Sequence, residues 1–363
     1  MPTNYTGPDR RRAGTILSHE RSQADAEQIE ALIDESIEGT FPASDPPAYG
    51  VVADRIARLE RDHPAGWPEL RLRQWEATRD TLQLWSQVVG KIRLALAPMQ
   101  NHWWQVPLYV SARGLTTTAM PYPGGTVELT FDFLDHVLKM ETSWGKTAAV
   151  ELKPRTVAGF YRAVKSALLA IDIEVPIWPH PVELANPIPF DQDEIHASYD
   201  GEAVKRFWHL LVRSNQVFHQ FRSTFLGKCS PVHFWWGGFD LAHTRFSGRK
   251  APVHPGGIPH LADRVTRESY SHECISVGWW PGGGAVDDAA FYAYAYPEPS
   301  GCSDAQIEPA GAYYHQELRE WILPYEIVRH ATDPDATLLT FLESTYAAAA
   351  SLGAWDRSSL ERS

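Results

Sequence analysis

Side chains able to do chemistry gather in the second half of this chain: His233, Asp240, Arg245, Tyr270, His272, Glu273, Trp280, the alternating Tyr292, Tyr294 and Tyr296, and Glu298. His272 and His233 are the candidate catalytic groups, because imidazole titrates near neutrality and a neighbour such as Glu273 would tune it as a general base. Arg245, with Arg113 from the first half, offers a planar fork for a carboxylate or phosphate. Strand periodicity puts Tyr292, Tyr294 and Tyr296 on one face, an amphipathic wall that with Trp280 suits a polar organic ligand. Each group also has a plainer reading. The histidines can be satisfied core residues, the tyrosines a half-exposed sheet face, and the arginines ion pairs with Asp132, Asp240 or Glu326. A regular strand would send His272 and Glu273 to opposite faces, so one of them is structural.

Imidazole and carboxylate are common metal ligands, but His233, His243, His272 and Glu273 follow no ligand spacing. No metal ligand is assigned and no cofactor is named. The chain has no phosphate loop, dinucleotide fingerprint, His-Glu-x-x-His helix or Gly-x-Ser-x-Gly elbow. Gly282-Gly283-Gly284 reads as a turn.

The elements that must position these groups read as one unit used twice. Trp103-Trp104 precedes Arg113, and Trp235-Trp236 precedes Arg245, at the same spacing and after a long amphipathic helical pattern. In the first half a helix runs from about 67 to 96, broken near its start, and 106–111, 115–120, 126–133 and 147–152 read as strands. A helix then follows Pro154. In the second half a helix at 204–225 precedes strands at 234–236, 239–246, 271–279, 289–296 and 322–328. Asp333-Pro334 opens the last helix, with Asp333 as N-cap. The expected fold is α+β, two helix/four-strand/helix units of mainly antiparallel sheet packed as one body. The second unit carries two added loops, 250–259 and 300–312, of the length that often serves function.

Residues 1–60 read as a flexible acidic, Pro-rich tail, 67–177 as the first unit, 178–200 as an ordered Pro-rich linker, and 201–357 as the second unit. The chain has 363 residues, 44% of them hydrophobic, with 14 Trp, enough apolar bulk for a substantial core. A net charge of -12 gives no general reason to bind nucleic acid or an anionic membrane. Three dispersed cysteines and no apolar run of signal or spanning length point to a soluble protein of the cytoplasm. The tail is the expected contact for any protein partner.

From residue 67 to 361 the chain resembles a bacterial domain family of unknown function. The residues that carry the resemblance include Asn101-His102-Trp103-Trp104, Ser230-Pro231-Val232-His233-Phe234, Thr244-Arg245-Phe246-Ser247-Gly248-Arg249 and Tyr270-Ser271-His272-Glu273. The resemblance brings no activity, so function rests on the residues. The leading expectation is a small polar or anionic organic ligand in a crevice lined by the second-half aromatics, His233, Arg245 and His272, with residues of both halves contributing. Whether catalysis follows binding is left open. The alternatives are a noncatalytic protein-interaction scaffold and a metal-dependent hydrolase or oxygenase.

Overall fold

A computed structural model describes residues 66–362. The tail expected at 1–60 therefore lies outside the described residues. Helix α1 (Leu72–Leu96) buries Leu72, Trp75, Leu82, Trp85, Val88, Val89 and Ile92. It leads into the first antiparallel sheet: β1 (Tyr109–Ser111), β2 (Gly114–Thr116), β3 (Met120–Tyr122), β4 (Gly125–Asp132), β5 (Val137–Thr142) and β6 (Thr147–Glu151). The spatial order is β1-β2-β4-β5-β6, with β3 also paired to β4. Helix α2 (Val157–Ala170) follows, and Thr156 caps it by accepting from the Gly159 amide.

The second half repeats this plan. Helix α3 (Gly201–Ser223) starts at Asp200, which accepts from the Glu202 and Ala203 amides. Then come β7 (His233–Trp235), β8 (Asp240–Lys250), helix α4 (Asp263–Ser269), β9 (His272–Trp280), β10 (Ala290–Tyr296), β11 (Tyr313–His315) and β12 (Glu320–Pro324). The antiparallel order is β11-β12-β10-β9-β8-β7. Helix α5 (Tyr325–Arg329) leads to α6 (Pro334–Leu352), and the short α7 (Arg357–Leu360) ends the fold. Asp333 accepts from the Ala336 amide, with Pro334 inside the first turn, as its sequence pattern requires. Each sheet has six strands, where four segments in the first half and five in the second read as strands, and 322–328 is strand only to Pro324 because Tyr325 turns into α5.

The two sheets meet where Leu108 and Phe234 exchange backbone hydrogen bonds of 2.9 Å in both directions. One continuous core runs through both, from Trp85 stacked on Phe160 (4.5 Å) to Phe207 stacked on Phe239 (5.1 Å) and Phe221 edge-on to Tyr346. Between α2 and α3 the chain runs without helix or strand, and Gln87 holds it by exchanging hydrogen bonds with both the N–H and the C=O of Val182. No described helix is long and apolar enough to cross a membrane.

The Trp-Trp pairs do not occupy equivalent places. Residues Asn101–Trp103 form a 3-10 turn in which His102 and Trp103 take left-handed backbone angles, so this pair opens no strand. Trp235 ends β7, and the buried Trp236 lies against Gly90 of α1, where any side chain would strike the indole. Arg113 sits in the β1–β2 turn while Arg245 lies inside β8, so the shared spacing does not mark a shared role.

Candidate functional site

On the second sheet, register sorts the side chains. Tyr292 pairs with Gly278, which pairs with Ala242, and Tyr294 pairs with Ser276, which pairs with Thr244. Even-numbered residues of β8, β9 and β10 therefore share one side of the sheet, and odd-numbered ones share the other. The odd side carries Leu241, Val277, Trp279, Phe291 and Ala293 into the core. The even side carries Asp240, Trp280, Tyr292, Tyr294 and Tyr296 into a cavity of about 790 Å³. Glu320 and Ile322 of β12 join them, and the 250–259 insertion supplies His254 and Pro255 as the opposite wall.

Gly278 makes this arrangement possible. A side chain there would collide with the Tyr292 phenol, which crosses the glycine to reach Asp240 on the next strand but one, donating to Oδ2 at 2.5 Å. Tyr292 and Tyr294 are near parallel, 6.1 Å apart. The Tyr294 and Tyr270 hydroxyls share a 2.7 Å hydrogen bond, and Tyr296 donates to the Pro252 carbonyl at 3.0 Å. The His254 ring stacks on Tyr270 at 4.9 Å and packs on Tyr296 at 5.0 Å. The insertion is thus folded onto the tyrosine face.

The cavity is acidic. Burial pushes Asp240 up to about 6, partly offset by the Tyr292 hydrogen bond. Burial, then the nearby Asp240 charge, pushes Glu320 up to about 7. Glu183 is exposed as a residue, yet its carboxyl lies against the Gly237-Gly238 backbone beside Asp240, and burial of that group followed by the Asp240 charge raises it too. The lining arginine, Arg319, is already ion-paired with Glu298.

Of the residues expected at the site, Trp280, Tyr292, Tyr294 and Tyr296 come together here, whereas Arg245, Arg113, His233, His272 and Glu273 do not. Arg245 falls on the odd side. There its guanidinium lies 3.4 Å from the centre of the Phe221 ring and 4.3 Å from that of Tyr346, and it donates to the Phe221 carbonyl and Thr224. Burial lowers it to about 10. Arg113 is a surface group ion-paired with Asp132 and Asp135.

His233 is buried among Tyr109, Trp104 and Trp235, and its Nε2 has no hydrogen-bond partner among the described residues. Burial, then Arg93 and Arg222, pushes it down to about 3, so it is a neutral ring. His272 stands 5.7 Å from His102, whose Nε2 accepts from Lys228 at 2.9 Å. His102 therefore carries its proton on Nδ1, donated to the Ser269 carbonyl. Glu273 accepts from Ser247 and Arg249 and borders a smaller cavity of about 230 Å³.

His233, His243, His272 and Glu273 do not meet. Among the described residues no three His, Cys, Asp or Glu side chains are grouped to hold a metal ion. Among the described residues the cavity is lined only from within 238–322, so the first unit, 67–177, contributes no wall. The reading from sequence left out His254, Glu320 and Arg319. Glu320 was within reach, since Glu-Trp-Ile-Leu alternates about the core residues Trp321 and Leu323, but His254 sits in a Pro- and Gly-rich loop with no periodicity to place it.

Comparison with the curated proteins found no match, and comparison with the solved structures found none. A family of unknown function, DUF5996, matches residues 67–362. That match covers most of the chain, including every residue of the cavity, and the protein belongs to this family.

Proposed function

We propose that this protein binds a small polar organic molecule in the tyrosine-walled cavity of its second sheet. The observation that carries the reading is the convergence of Trp280, Tyr292, Tyr294 and Tyr296 with Asp240 and Glu320 around one space of about 790 Å³, within the size range of small-ligand sites. Aromatic walls give apolar contact, and the phenol tips and carboxylates fix orientation. An anionic ligand loses its support, because Arg245 is buried on the far side of the sheet and Arg113 is ion-paired on the surface. The three unpaired thiols, Cys229, Cys274 and Cys302, suit a reducing cytoplasm, and that location is part of the proposal.

A thermal-shift screen of polar organic compounds tests the reading. A true ligand should raise the melting temperature of the wild type, lose most of that effect in Trp280→Ala and Tyr292→Phe, and keep it in Arg113→Ala. Shifts that survive both pocket substitutions would count against this site.

A further inference from the structure

The cavity has an uneven charge. Asp240 and Glu320 line it, and the Glu183 carboxyl stands behind Asp240 at the Gly237-Gly238 turn. Its arginine, Arg319, is bound to Glu298, which also accepts from Tyr314. His254, between Tyr270 and Tyr296, is pushed below its usual range by burial and adds no positive charge at neutral pH. Glu320 has no hydrogen-bond donor or ion-pair partner among the described residues, and Asp240 has one, Tyr292. Carboxylates brought together without a cation repel each other and lose hydration, a cost that a bound cation would relieve. The same cavity is walled by the Tyr292 and Tyr294 rings, whose faces attract positive charge. Farther along, Trp280, Ala290, Val286 and Ile322 make a separate apolar patch.

We propose that the ligand is a primary organic amine, its ammonium held between Asp240 and Glu320 against the tyrosine rings and its apolar body on Trp280, Ala290 and Ile322. An ammonium supplies three donors and no acceptor, which suits a site of carboxylates and phenol oxygens. This assignment rests on the ligand-binding reading of the cavity and adds the charge of what binds. The raised titration of Asp240 and Glu320 agrees with it, since each carboxyl ionises more easily once a cation is beside it.

Three probes sharing one body and differing in charge test it: 2-phenylethylammonium, 2-phenylethanol and phenylacetate, titrated calorimetrically into the full chain. At about pH 8 the ammonium should bind at least about tenfold more tightly than the alcohol, and phenylacetate should not bind. Asp240→Asn and Glu320→Gln, which keep side-chain shape, should each weaken the ammonium about tenfold and leave the alcohol unchanged. In the wild type, ammonium affinity should fall as pH drops from about 8 to about 5, because both carboxyls take up protons. Equal affinity for the alcohol, preference for phenylacetate, or indifference to both substitutions would overturn the amine assignment while leaving the cavity as a binding site. Failure of all three probes overturns the assignment as well, and the cavity reading falls with it when the wider screen also yields no ligand sensitive to Trp280→Ala and Tyr292→Phe.

Discussion

Tyr292 ties three strands together: its ring rises from β10, passes over Gly278 of β9 and delivers its hydroxyl proton to Asp240 of β8. That hydrogen bond favours the charged carboxylate, so Tyr292→Phe should move the Asp240 titration above its present value of about 6, as followed by carboxyl NMR. Glu320 gives a prediction on stability. Its folded value of about 7 lies above the ordinary 4.5, so the native state holds the proton more tightly than the unfolded chain does. The resulting stability is complete below pH 4.5, declines as pH rises, and is lost above about 7. Glu320→Gln should therefore raise the stability at about pH 8 by on the order of 1–2 kcal/mol, seen as a higher melting temperature, and change it little at about pH 5. An equal effect at both would contradict the assigned burial of that carboxyl. The tyrosine row was legible in the sequence because strand alternation alone aligns 292, 294 and 296. Arg245 was not, because its side relative to the tyrosines depends on how β8, β9 and β10 are registered: it pairs with Ile275, which pairs with Ala295, on the side opposite Tyr294. His272 shares a strand with Trp280 but stands at the end where α4 and the His102 turn cover it, a neighbourhood that only long-range packing creates.

At the scale of elements, the site depends on the close approach of β9 and β10 and on the insertion that walls it. Gly278→Val fills the space of the Tyr292 phenol and presses on the Leu241 carbonyl of β8, so it should break the Tyr292–Asp240 hydrogen bond, lower the melting temperature and abolish ligand-induced thermal shifts. Unchanged ligand response in a crystallographically intact variant would remove Gly278 from the account. Helix ends were readable from local chemistry, as Asp333-Pro334 illustrates. At Pro154 the cap lies two residues later, at Thr156, whose hydroxyl accepts from the Gly159 amide. Strand β5 was passed over although Leu138 and Met140 alternate with Lys139 and Glu141, and Tyr313–His315 is too short for a period to show. Neither omission touches the cavity. The insertion matters more, because His254 reaches the site through tertiary contact with Tyr270 and Tyr296 and not through any local pattern.

Across the whole molecule, the two helix-and-sheet halves share a core and a backbone seam at Leu108 and Phe234, while the cavity belongs to the second half alone. A continuous core predicts that urea unfolding followed by tryptophan fluorescence and by far-ultraviolet circular dichroism gives coincident transitions, whereas two separated transitions would mean that the halves unfold independently. Repetition of the plan was visible in the helical and strand patterns, but the matched Trp-Trp and Arg spacing taken to mark it falls on places that are not equivalent in the two halves. The second half departs from the first by its insertion and tyrosine strand, and those departures build the cavity. The central claim, that this cavity is a ligand site, is tested most directly by a crystal structure with the strongest compound from the thermal-shift screen. The account predicts ligand density against Tyr292, Tyr294 and Trp280, with a polar group at Asp240 or Glu320; density elsewhere, for instance beside His102 and Lys228, with the tyrosine cavity filled only by solvent, would contradict it.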